Sequence, residues 1–353
     1  MPWDFLVIAN PVWETAHLVE RIPDDPDTPN HFGGPAGTEA EGAVFTDGGG
    51  SGLNTACALA MAGRRVLAVG RVGDDMPGRA CFEALQRRGV ETACEILPGR
   101  TTKRNTCFVE RGTHATAFAA ELPEHSVPPW EGTPVALLEA RVLLLDRLAA
   151  AALTWLKART EARDKKQINA LVRNSMILSP TGRERLKSAL PHLGYLQVPE
   201  EVRRETPSST ARTEILPAKG GRMLGSSAPS HEPAPDEAPA TRSRIHRPRS
   251  LAPLEAEEVA AILAAGVRLF VRTREAHGVV VHTAEGLTVE LPAAPTEVVD
   301  PTGAGDAFAA GFLDALLDDL DPAASARRGL DWAARACRHL GARAWLDHEP
   351  PAR

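Results

Sequence analysis

Tyrosine occurs once in this chain of 353 residues, and aromatic residues make up only 5 % of it. Alanine and arginine are plentiful instead, a bias that reflects a GC-rich genome more than any function. No strong net charge is present: 40 basic against 46 acidic side chains leave −6, which argues against a general nucleic-acid or membrane binder. No run is apolar and long enough to span a bilayer, and the N-terminus opens on a strand-like Phe5–Ala9 rather than a basic stretch followed by a long apolar one. The five cysteines (Cys57, Cys81, Cys94, Cys107 and Cys337) are scattered without a CxxC pair. They read as reduced, mostly buried thiols, and the expected location is the cytoplasm. None of the eleven histidines forms a ligand-spaced pair. The length suits one large α/β domain with room for a small appendage.

What is present is concentrated in two glycine-rich runs. Residues 300–313 read DPTGAGDAFAAGFL. Gly303, Ala304 and Gly305 carry almost no side chain, so their backbone N–H groups can approach a ligand closely. The apolar run from Ala307 to Leu317 reads as a buried helix, whose N-terminus would stabilise an anion. Asp306 falls where that anion would sit. A carboxylate there repels a phosphate unless it has another task, and accepting a proton from an attacking hydroxyl is such a task. An N-capping aspartate after a Gly-rich turn is the plainer alternative. The second run, residues 49–73, reads GGSGLNTACALAMAGRRVLAVGRVG, with Gly49, Gly50 and Asn54 at its start.

Between and around these runs, strand and helix patterns alternate. Strands are expected at Phe5–Ala9, Val66–Val69, Val142–Asp146, Ile168–Val172 and Arg268–Thr273, with a hairpin from Val279–His282 to Thr288–Leu291. Helices are expected at Thr55–Ala62, Gly78–Arg88, about 149–162, about 183–190, Glu255–Ala265 and Asp331–Leu340. Residues 101–120 alternate as short strands do. The alternation predicts a mainly parallel sheet with helices on both faces. Residues 205–250 break the order with seven prolines and a basic end (Arg242, Arg244, His246, Arg247, Arg249). They read as a disordered or loosely attached insertion, a solvated linker rather than an anion-binding site.

Taken together, the two runs resemble the signature patterns of the PfkB (ribokinase-like) family of carbohydrate and nucleoside kinases, whose fixed positions the chain fills in the right order. The resemblance spans roughly residues 1–204 and 251–346, with 347–353 as a tail. It implies a ribokinase-like α/β fold, with a central mainly parallel sheet flanked by helices and a small β-sheet lid drawn from about 12–46 and 101–120. It also implies transfer of the γ-phosphoryl group of ATP, with Mg2+, to a hydroxyl of a sugar or nucleoside, a primary hydroxymethyl of a small sugar being the main expectation. By motif position Asp306 would be the general base and Gly303, Ala304 and Gly305 the anion hole. Asn10, Glu14, Gly49, Gly50 and Asn54 would contact substrate. Asn54 can equally cap a helix. Thr273, Gly278 and Thr302 would lie at the nucleotide.

The chain departs from the family pattern at several places. Glu14 stands where most members have Asp. Pro199 replaces the Asn of an Asn-x-x-Glu motif that positions Mg2+ through water, leaving Glu200 and Glu201, the latter the candidate metal contact. Glu275 replaces a glycine of Thr-x-Gly-x-x-Gly. The strand at Ile168–Asn174 lacks an Asp, with Arg173 and Asn174 as its polar residues. These departures leave a second expectation, a non-catalytic sugar- or nucleotide-binding protein. Lys103 and Arg104 read as solvated lid surface, with contact to substrate or phosphate as the alternative, and Trp13 as a stacking platform or a packing residue. A small molecule and ATP are the expected ligands, with a homodimer through the lid and neither nucleic acid nor membrane as partner.

Overall fold

The computed structural model describes residues 3–20, 22, 44–121, 125–132, 134, 136–162, 167–172, 180–200, 245–246 and 254–351. Among these, nine strands form the main sheet in the order Thr288–Leu291, Val279–Thr283, Leu269–Thr273, Tyr195–Pro199, Ile168–Val172, Ala140–Leu145, Trp3–Ile8, Val66–Val69, Glu91–Thr92. All neighbours from Leu269–Thr273 onward are parallel, and the hairpin at the other edge is antiparallel. The expected ribokinase-like α/β architecture is therefore present.

The first strand shows why the sequence folds this way. Successive strand residues face opposite sides, and here both sides are apolar. Phe5 and Val7 enter one core with Leu53, Leu59, Phe308 and Trp332, while Leu6 and Ile8 enter the other with Trp155, Leu156 and Phe270. Helices Ser51–Met61, Ala304–Leu317 and Pro322–Cys337 cover the first side; Ala152–Glu161 and Ala256–Ala264 cover the second. From Trp3–Ile8 the chain moves outward to Val66–Val69 and Glu91–Thr92, then crosses back to Ala140–Leu145 on the other flank. That reversal opens a crevice at the carboxyl ends of the central strands, where ligands bind in open α/β sheets.

A second sheet has the order Ile245–His246, Thr116–Glu121, Arg104–Glu110, Val12–Val19, Val44–Gly49. It is the expected lid layer, and two residues of the 205–250 segment pair with its edge. The remainder of that segment, most of residues 21–43, Arg173, Asn174 and Glu201 lie outside the described residues.

Several helices begin earlier than the apolar pattern suggests. The helix expected from Asp331 runs Pro322–Cys337, because Asp321 caps it by accepting from Ala324 N (2.8 Å) and Pro322 suits its first turn. The motif helix starts at Ala304 and the one after the di-glycine at Ser51. A short helix, Trp345–His348, was not expected; it tucks Trp345 against Trp332 (ring centroids 6.2 Å apart). The motif helix is also held by charge. Asp314, buried within it, accepts from Arg64 Nε (2.5 Å) and Arg328 Nη1 (2.6 Å), and both arginines also reach Asp318. Removing one partner of a buried pair leaves the other uncompensated. Asp314→Ala is expected to cost about 3 kcal/mol, seen as a lowered midpoint in urea denaturation.

Candidate active site

The loop before the motif helix is shaped by Asp300. Fully buried, it accepts from Thr302 N (2.7 Å) with one oxygen and from Gly341 N (2.8 Å) with the other. Burial pushes its pKa up, and these donors oppose the shift. Gly303 caps the helix with φ 82°, and a Cβ there would lie 2.6 Å from the Ala342 Cβ. Both backbone and packing therefore demand glycine. Gly305 is different: a Cβ would meet only Gln197 Nε2, at 3.9 Å. Among the described residues no packing contact requires glycine at 305, and the space beside it is open. Among the described residues the amides of Gly303 and Gly305 have no hydrogen-bond acceptor, whereas Ala304 N is held by Pro301 O (3.1 Å) and Asp306 N by Gly303 O (3.0 Å). Of the three expected anion-hole residues, two present available amides at a helix N-terminus, a fit for phosphate oxygens.

Asp306 lies in the first turn of that helix and is not its cap, so the plain capping alternative does not hold. Its carboxylate is 2 % exposed, accepting from Asn54 Nδ2 at 2.8 Å and from the Ser51 hydroxyl in a short contact. Asn54 is not a cap either: Gly50 caps Ser51–Met61. With Nδ2 committed to Asp306, the buried Asn54 Oδ1 has no partner among the described residues. A buried acceptor without a donor costs about 1–3 kcal/mol, and a ligand hydroxyl would remove that cost.

The di-glycine segment is required by its neighbours. A Cβ on Gly49 would overlap the Glu14 carboxylate, and one on Gly50 (φ 104°) would lie 2.6 Å from Asn10 O. Glu14, on Val12–Val19, accepts from Gly50 N and the Asn105 side chain. Desolvation is the main cause of its raised pKa; Arg343 opposes the rise, while Asp306 adds to it. Asn10 follows the first strand. Its N–H donates to Asp146 Oδ2 (3.2 Å), and its Oδ1 accepts from Lys103 Nζ (3.1 Å).

Sequence reasoning missed Ser51, Asp146 and Gln197. Asp146 follows Ala140–Leu145, the parallel neighbour of Trp3–Ile8, so strand pairing sets it beside Asn10. Gln197 donates to Gly305 O (2.9 Å) and accepts from the hydroxyl of Tyr195, the chain's lone tyrosine (2.6 Å). Only sheet order links these positions. Lys103 is half-buried rather than a solvated lid residue.

On the nucleotide side the placements are mixed. Thr302 turns its hydroxyl to Cys107 Sγ of the lid (3.3 Å). Thr273 Oγ1 lies 3.5 Å from Val198 O. Gly278 (φ 84°) is required by the hairpin, where a Cβ would overlap Leu291 O. Glu275, at the replaced glycine, is exposed with φ 49°, a left-handed backbone that glycine adopts without strain. Glu200, which is buried, pairs with Arg272 Nη1 (2.8 Å). No cluster of three or more His, Cys, Asp or Glu among the described residues is arranged to hold a metal ion. With Glu200 neutralised and Glu201 undescribed, the described residues build no Mg2+ site of their own.

A family model described as pfkB family carbohydrate kinase matches residues 24–200 and 249–349. The chain belongs to this family. Among solved structures, this pfkB-family chain is similar to an Arabidopsis thaliana ribokinase complexed with ribose and ATP (18 % identity, 98 % of this chain and 96 % of that one, TM-score 0.64). It is similar also to an adenosine kinase from Sinorhizobium meliloti (18 %, 97 % and 96 %, 0.65) and to a probable sugar kinase from Rhizobium etli CFN 42 (18 %, 97 % and 95 %, 0.66). At such identities the likeness is one of fold. No curated protein sequence matches the chain. No helix among the described residues is long and apolar enough to cross a membrane.

Two measurements follow from this geometry. Because the Glu14 pKa is raised in the fold, the folded state binds the proton more tightly than the unfolded chain does. The stability linked to that proton is present at low pH and lost as pH rises through the raised value. Glu14→Gln should therefore melt like the wild type below about pH 4 and increasingly above it as pH climbs to 7. Glu275→Gly should raise stability by about 1 kcal/mol, seen as a raised midpoint in urea denaturation.

Proposed function

We propose that this pfkB-family chain is an ATP-dependent phosphotransferase acting on a hydroxymethyl group of a small sugar, in the cytoplasm, with residues 1–346 as one kinase unit. The observation that carries the reading is the seating of Asp306: a carboxylate in the first turn of a helix whose Gly303 and Gly305 amides have no acceptor among the described residues, beside open space at Gly305. ATP supplies the γ-phosphoryl group. Asp306 accepts the hydroxyl proton while the oxygen bonds to the γ-phosphorus and the β–γ bridge breaks to leave ADP. The carboxylate has lone pairs beyond those used by Ser51 and Asn54. The two amides and the helix dipole stabilise the charge on the transferring group.

A sugar is favoured by the acceptors that await donors. Asn54 Oδ1 and Asp146 Oδ1 are buried without hydrogen bonds among the described residues, and a polyol offers hydroxyls to both. The lid strands Val12–Val19 and Arg104–Glu110 bring Glu14 and Lys103 over the same crevice, so lid closure would exclude water from the transfer. A coupled ADP-release screen over sugars and nucleosides tests the reading. A sugar is expected to give ADP, and Asp306→Asn to lower the rate about 100- to 10,000-fold. Turnover with nucleosides alone would move the assignment to nucleoside kinase. Ligand-induced thermal stabilisation without Asp306-dependent ADP would make the protein a binder.

A further inference from the structure

Lys103 and Arg147 flank Asn10 and Asp146, and the charge around them does not balance. Lys103 Nζ makes its one hydrogen bond among the described residues to a neutral acceptor, Asn10 Oδ1. An ammonium has three donors, so two are available. Arg147 Nε makes no hydrogen bond among the described residues but forms an ion pair with Asp146 Oδ1 at 3.8 Å, its side chain being 38 % exposed. Asp146 is the sole acid close to both cations among the described residues, and it commits Oδ2 to the amides of Asn10 and Gly52 (3.2 and 3.4 Å). Two cations thus face one carboxylate at the carboxyl ends of two neighbouring strands. Burial and then Arg147 push the Lys103 pKa down, with Asp146 opposing; burial raises that of Asp146, with Arg147 opposing the rise and Asp306 adding to it. Bringing two like charges together in a partly desolvated crevice is unfavourable unless an anion joins them.

We infer that the sugar phosphorylated by this chain carries an anionic group, a carboxylate or a phosphate, held by Lys103 and Arg147 beside Asp146. This rests on the kinase reading above and narrows its substrate class. Asp146 Oδ1 would take an adjacent hydroxyl, and Asn10 would keep Lys103 pointed into the crevice. The remaining acids of the crevice are already engaged: Asp306 by Ser51 and Asn54, Glu14 by Gly50, Asn105 and the charge of Arg343.

The test compares acceptors that all present a free hydroxymethyl group: fructose 6-phosphate and gluconate as the phosphate and carboxylate arms, fructose and sorbitol as neutral ones. ADP release is followed in the full chain. At least one anionic acceptor should exceed its neutral counterpart in kcat/KM by about 10- to 100-fold, the size of a hydrogen bond to a charged group. Lys103→Gln and Arg147→Gln should each erase most of that advantage through KM, whereas Lys103→Arg should retain it. If these variants fold poorly, salt gives the same answer on the wild type: raising ionic strength should raise KM for the anionic acceptor and leave that of fructose unchanged. Equal or better use of the neutral sugars, with ADP still dependent on Asp306, overturns the anionic substrate and leaves the kinase. Absence of Asp306-dependent ADP from every acceptor overturns both.

Discussion

The hydrogen bond from Asn54 Nδ2 to Asp306 Oδ2 joins residues 252 positions apart, and the geometry of the crevice depends on it. It forms where the first turns of two core helices meet, Ser51–Met61 and Ala304–Leu317. The small residues of the first helix let the second approach, and Ala56, Leu59, Phe308 and Phe312 share one core. Asp306 is thus aimed by packed helices rather than by a loop, which keeps a reacting group within the narrow tolerance that positioning requires. The same arrangement fixes Asn54, whose remaining oxygen has no partner among the described residues. Contacts so distant in sequence gain nothing until the intervening chain is closed, so the site belongs to the finished fold and not to any fragment of it.

A second join ties the lid to the anion loop. The segment from Gly341 to Arg343 gives its first N–H to Asp300, which shapes the Thr302–Gly303 turn, and its arginine to Asp47 of the lid strand Val44–Gly49 (2.9 Å). Arg88 also reaches Asp47 (3.1 Å) and continues to Asp347 (2.9 Å). Gly341 packs so closely on Phe45 that a Cβ would overlap the ring. Buried charges are costly unless paired, so this network resists any shift that separates its members. A displacement of the lid strand is therefore felt at the turn that presents the Gly303 amide, and Thr302 against Cys107 gives a second contact of the same kind.

The local grammar of the chain was legible. Alternating apolar strands and the two glycine-rich runs each state their own structure, since turn chemistry and binary pattern act over a few residues; the apolar pattern alone puts the last long helix at Asp331 and passes over its Asp-Pro start at 321. What could not be read were partners set by sheet order. Asp146 is an ordinary residue after an apolar strand until Ala140–Leu145 pairs with Trp3–Ile8, and Gln197 is one polar residue in a buried strand until it meets Gly305. Lys103 was read as solvated because lysines usually are; the crossing of Arg104–Glu110 beside Val12–Val19 buries its stem. Asn54 looked like a cap because Gly-rich turns precede caps, yet the helix begins a turn earlier at Ser51.

The crowding of acids in the crevice gives the site its chemical character. Glu14 and Asp146 both have raised pKa values, first from burial and in part from Asp306. Burial opposes charge on both, and a hydroxyl donated to either carboxylate would favour its ionised form. The two cations beside Asn10 act in the opposite direction, favouring negative charge beside Asp146. On the proposed kinase reading, a polyol that bears an anionic group would meet both demands with its hydroxymethyl facing Asp306.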